Sequence, residues 1–143
     1  MILLDTNVIS EALRPRPDPC VDSWLKQQNP EGLYISTIAL AEMRFGIAIL
    51  PEGRKKDVLH HGLEMKIVPF FIGRILAFDQ SASASYALLR AHARTQGLAV
   101  APADAYIAAI AHTHGMTVAT RDVAPFLAMA LPVINPWEHG NMG

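Results

Sequence analysis

Short apolar runs alternate with longer helix-forming stretches along the whole chain, and this alternation restricts the fold more than any other feature. Residues Met1 to Leu4 are continuously apolar and stop on Asp5; with no polar residue on either face, the run suits a strand buried on both sides, as in a parallel sheet. Leu33 to Ile35, Gly73 to Phe78, Met116 to Ala119 and Pro132 to Ile134 are the other strand candidates. Helices are predicted over Asn7 to Leu13, Cys20 to Gln28, Thr37 to Leu50 behind a Ser36 N-cap, Glu52 to Met65, Gln80 to Gln96 behind Asp79, and from Pro102 to His114. Pro51, Gly97 and Gly115 stand where three of them should stop. Strands alternating with helices imply an α/β fold of three layers with a short, mainly parallel sheet.

A chain of 143 residues, 51% hydrophobic and 17% charged, is long enough to bury a core but too short to divide comfortably, so one domain over 1–143 is expected. The single cysteine, Cys20, cannot close an internal disulfide, and the start MILLDTNVIS carries neither a basic n-region nor a long apolar run, which points to the cytoplasm. No stretch approaches the roughly 20 apolar residues needed to span a bilayer, so no membrane role is expected. A net charge of −1 argues against a protein that coats nucleic acid electrostatically. It does not exclude a nuclease, because a cluster of site carboxylates offsets basic residues elsewhere.

Four acids stand where chemistry is expected. Asp5 ends one strand and Asp122 follows another by three residues; in an open α/β sheet ligands collect beyond the carboxyl ends of the strands, so both face one crevice. Asp104 falls in the first turn of its helix, where the dipole favours an ionised carboxylate. Glu42 is the only acid in the apolar run TIALAEMRFGIAIL, and burying it would need a compensating partner, such as a cation. Hard oxygen donors without a His/Cys set suit Mg²⁺ or Mn²⁺. Each acid also has a structural reading: a helix cap for Asp5, a dipole partner for Asp104, a turn residue for Asp122, an ion pair for Glu42. His60, His61, His112 and His114 lack the partners of a zinc site. Trp24, Trp137 and Met43 read as packing residues, and Lys55 and Lys56 as a solvated helix end.

The segments MILLDTNVISE, STIALAEMRFG, APADAYIAA and VATRD, with NPW at Asn135 to Trp137, together resemble the PIN-domain ribonucleases. Within that family the chain is most similar to VapC-type toxins of the FitB-like branch. The resemblance implies a PIN fold in which Asp5, Asp104 and Asp122 surround an Mg²⁺ or Mn²⁺ ion and Glu42 completes the pocket, while Thr6, Asn7 and Thr120 match the polar neighbours that orient it. Many relatives have Asn two places after the threonine and an acid before the later Phe; here Asp122 and Pro125 stand instead, so Asp122 takes the last acidic place. The resemblance further implies metal-dependent hydrolysis of RNA, a homodimer, and a cognate ribbon-helix-helix antitoxin that contacts DNA and blocks the site. Arg14, Arg16, Arg44 and Arg121 are candidates for guiding phosphates, and the amphipathic stretch Ala48 to Met65 for the antitoxin groove. Rival readings are a phosphatase with Asp5 as nucleophile, weakened by Asn7 in place of a second aspartate, and a catalytically silent corepressor.

Overall fold

The computed structural model describes residues 1–140. Its elements follow the alternation: β1 (Ile2–Leu4), α1 (Thr6–Ala12), α2 (Pro19–Gln27), β2 (Leu33–Ser36), α3 (Thr37–Ala48), α4 (Arg54–Gly62), α5 (Val68–Phe70), β3 (Ile75–Leu76), α6 (Gln80–Thr95), α7 (Pro102–Thr113), β4 (Thr117–Ala119), α8 (Ala124–Ala128) and β5 (Val133–Ile134). The strands form one sheet in the order β3-β2-β1-β4-β5, and every pairing is parallel. The connections run outward from β1 on one side and return to pair β4 on its other side, so the strand order reverses between β1 and β4. That reversal opens a crevice at the carboxyl ends of these two strands.

Two apolar clusters hold the sheet between helices. Leu3 and Val118 pack with Ile107, Ile110 and Phe126 on one face, and Leu4 and Ala119 pack with Val8, Ile35, Trp24 and Met43 on the other. Side chains alternate across the pleat, so consecutive apolar residues serve opposite layers, which is why the strands show no polar face in the sequence. Caps fix the helix starts: Ser36 accepts from the Ala39 N–H at 3.0 Å and Asp79 from Ala82 at 2.9 Å. Trp24 and Met43 are core residues, as their size implies.

Three elements differ from expectation. The helix predicted over Glu52 to Met65 starts at Arg54, passes into a π-helical turn over Leu63–Ile67 and continues through α5. The extra residue rotates the helix so that Leu63, 1% exposed, enters the core while Arg44 on α3 meets Glu64. The strand predicted over Gly73 to Phe78 shrinks to Ile75–Leu76, since Gly73 takes a positive φ of 78° and ends any extended run before it. α8 had no periodic signal, because five residues containing Pro125 are too few to show one.

Candidate active site

The loop after β1 and the loop after β4 meet at the reversal point. The Asp5 N–H donates to the Ala119 carbonyl at 2.9 Å, continuing the ladder by one residue, and the side chain then turns into the crevice. Asp5 is 6% exposed, caps α1 by accepting from the Thr6 N–H at 2.8 Å, and accepts from the Thr120 hydroxyl at 2.8 Å. Thr120, fully buried, also accepts from the Asn7 amide at 3.3 Å and from the Asp122 N–H at 3.1 Å. One donor and two acceptor lone pairs are the whole capacity of a hydroxyl, so Thr120 is saturated and its proton is committed to Asp5. Asn7 in turn accepts from the Arg121 N–H at 3.3 Å, which ties the two loops together a second time.

Asp5, Glu42, Asp104 and Asp122 all line one cleft of about 1370 Å³. Glu42 is not the buried acid its apolar neighbours suggested: the side chain is on an exposed position of α3, where Oε1 accepts from the Thr6 hydroxyl at 2.9 Å. Met43 and Ile47 take the core-facing positions instead. Burial pushes the Asp5 carboxyl up to about 6, against the opposing hydrogen bonds from Thr120 and Thr6 and with added repulsion from Asp104 and Glu42. Asp104, in the first turn of α7, is also raised, by its own burial and then by Asp122 and Glu42. The four carboxylates therefore repel one another across a shared space.

Among the described residues no three acidic, His or Cys side chains stand close enough to form a ready-made ligand cluster. An Mg²⁺-like ion keeps several waters and takes only one or two carboxylates directly, so a spaced set of hard oxygen donors with unrelieved mutual repulsion fits such an ion and does not fit an all-protein cage. His60, His61, His112 and His114 are exposed and lie outside the cleft lining.

The candidate cations divide. Arg14 lines the cleft and stands 3.4 Å from the buried Glu11, and Arg121 lines it beside Asp122. Arg44 is removed from the set: its guanidinium holds Glu64 through bonds of 2.8 and 3.0 Å, joining α3 to the π-helical turn. Arg16 is exposed and outside the cleft lining. Lys56 is not a free solvated end, since it donates to Glu52 at 2.8 Å and to the Ala48 carbonyl at 3.2 Å, closing the end of α3. Arg54 and Lys55 also line the cleft, and nothing in the charged run that contains them distinguished them from a solvated face. Trp137, expected only as packing, is half-buried against the core and also lines the cleft, with the Arg121 guanidinium 5.1 Å from its ring centre.

A parallel sheet in this order, with acids gathered at its reversal point, places the chain among the α/β domains that carry a carboxylate site beyond the strand ends. The PIN-domain family profile matches residues 2–130, and the chain belongs to that family. Within it, the chain is 53% identical over 138 residues to Toxin FitB of Neisseria gonorrhoeae, a match covering 96% of this chain and 99% of that protein. It is 50% identical over 138 residues to VapC ribonuclease Y4jK of Sinorhizobium fredii, covering 96% and 99% of the two chains. The solved structure of FitAB bound to an IR36 DNA fragment contains a chain that superposes with a TM-score of 0.91 at 54% identity, covering 96% of each chain.

Proposed function

We propose that this chain is a metal-dependent endoribonuclease and the toxin of a toxin–antitoxin pair. The observation that carries the reading is the buried Asp5, aimed into a cleft with Glu42, Asp104 and Asp122 and held there by Thr120 and Thr6. The relatives named as a toxin and as a VapC ribonuclease support it over nearly their whole lengths.

Asp5 and Asp104 would hold an Mg²⁺ or Mn²⁺ ion, with Asp122 and Glu42 completing the pocket directly or through water; the ion supplies water activation and neutralises charge on the reacting phosphate. The chain's own groups set the geometry. Thr120 and the Thr6 N–H keep each Asp5 oxygen directed, the Thr6 hydroxyl orients Glu42, and Asn7 locks the loop that carries Asp122. Water adds to phosphorus in line, the bond to the 3′ oxygen breaks, and the products are a 5′-phosphate and a 3′-hydroxyl with no covalent enzyme intermediate. Arg14 and Arg121 at the rim favour approach of the phosphate backbone.

The partner in this reading is a small DNA-binding antitoxin of ribbon-helix-helix type, with DNA contacted only through it; a FitAB complex bound to DNA supports the arrangement. Phe45 and Ile49 at the end of α3, Val58 on α4 and Met65 beyond it are all more than half exposed and give that partner an apolar surface. The toxin itself is read as a homodimer. The test is cleavage of RNA by wild type and Asp5→Ala, each with Mg²⁺ and with EDTA. Cleavage only by wild type with Mg²⁺ is expected. Cleavage that survives either change sinks the reading, and a metal-dependent toxin that cuts no RNA leaves the corepressor role.

A further inference from the structure

Arg121 stands between Thr120 and Asp122, in a cleft with four carboxylates, yet among the described residues it forms no ion pair. A guanidinium so placed has acids on hand to pair with, although at an exposed position such a pair is weak, comparable in strength to a cation–π contact. Instead it lies over the Trp137 indole, 5.1 Å from the ring centre, while its side chain remains exposed. The indole is itself anchored. Trp137 sits in the short 3₁₀ turn Pro136–Glu138, where its main-chain N–H donates to the capping Asn135 Oδ1 at 3.0 Å; the neighbouring Pro136 is buried, and the ring packs against the core cluster that includes Trp24. The Arg121 backbone is held from the other side by Asn7. The backbone of the arginine is thus tied to Asn7 and its guanidinium rests on the indole, with its charge off the carboxylates.

We infer that Arg121 is a substrate-binding residue that grips a phosphate of single-stranded RNA next to the one being cleaved, and that Trp137 is the positioning residue that presents it. This rests on the ribonuclease reading. The division of labour follows from charge: the carboxylates need a cation that can be exchanged, so a permanent arginine among them would occupy the site, whereas one parked on an aromatic face keeps its donors for phosphate. Arg121 reaches the cleft from the Asp122 side, while Arg14, Arg54 and Lys55 line it elsewhere, so the backbone of a bound strand would have basic contacts around the acidic centre.

Binding of a short fluorescent single-stranded RNA, measured in EDTA by anisotropy over a range of salt concentrations, tests this without cleavage. Arg121→Gln is expected to weaken binding roughly tenfold and to lower the slope of log affinity against log salt by about one, the signature of one lost phosphate contact. Trp137→Leu should lose part of that affinity and slope, and Trp137→Phe, which restores a ring face, should recover them; a purely structural role for Trp137 would not move the slope. If Trp137→Leu fails to fold, Arg121→Gln alone decides. Wild-type affinity and slope in Arg121→Gln overturn the inference while leaving the ribonuclease reading intact. Wild type that binds no RNA in EDTA also overturns the inference, while the ribonuclease reading, which requires the ion, stands or falls on the cleavage test with Mg²⁺.

Discussion

Asp5 is under opposing demands. Its burial disfavours the charged form, while its proposed role requires that form. Because its folded value, about 6, lies above the ordinary 3.8, the folded state binds the proton more tightly than the unfolded chain does, and stability without a cation falls as pH rises from about 4 to 6. Carrying the ionised group above that range costs on the order of 3 kcal/mol. Asp5→Asn is therefore expected to abolish cleavage and, in EDTA, to be more stable than wild type at pH 8 but not at pH 4, by denaturant unfolding. The gain falls short of the full cost because an amide offers one acceptor to two donors. At limiting Mg²⁺, cleavage by wild type should rise with pH as the carboxyl ionises, and higher Mg²⁺, which favours the ionised form, should shift that rise below the cation-free value of about 6. Thr120→Val, which removes the bond that holds Asp5 down, should move that rise to higher pH, with Thr120→Ser restoring it; a midpoint that stays put would mean Thr120 does not govern Asp5. The placements of Asp5 and Asp104 were legible from strand end and helix start. The exposure of Glu42 was not, because an apolar run does not say which helical positions face out until the packing partners are known.

At the scale of elements, sequence and structure agree where a local residue dictates the geometry. Ser36 and Asp79 cap the helices they were expected to start, and Pro102 opens α7. Ser36 is fully buried, and the Ala39 N–H has its bond from that hydroxyl, so Ser36→Ala should cost about 1 kcal/mol or somewhat more in denaturant unfolding. A loss within error would show that water replaces the cap. Disagreement falls where long-range packing decides. The π-helical turn at Leu63–Ile67 follows from Leu63 reaching the core and Glu64 reaching Arg44, contacts made 20 residues apart and invisible to periodicity. Strands of two residues, such as Ile75–Leu76, exist only because β2 is there to pair with them.

For the whole molecule, the alternation of elements indicated a parallel α/β sheet, but not the order β3-β2-β1-β4-β5, because right-handed crossovers of similar length connect several orders equally well. That order matters functionally. It makes β1 and β4 neighbours although more than 110 residues separate them, so Asp5 and Thr120, 115 positions apart in the chain, can share a hydrogen bond. Global folding and the acidic centre are therefore coupled: the repulsion among Asp5, Glu42, Asp104 and Asp122 exists only in the folded state, and the proposed cation would relieve it there and not in the unfolded chain. Mg²⁺ or Mn²⁺ should raise the melting temperature, with a stabilisation of about 2.7 kcal/mol once the ion reaches a hundredfold excess over its dissociation constant. The increase should be large at pH 7.5 and small at pH 5, where Asp5 is mostly protonated, and should shrink in Asp104→Asn. Asp104→Asn in EDTA should itself melt higher than wild type, since it removes a carboxylate whose charge is disfavoured first by its burial and then by Asp122 and Glu42. A melting temperature indifferent to divalent ions at both pH values would mean that the four acids tolerate their mutual repulsion for some purpose other than holding a cation.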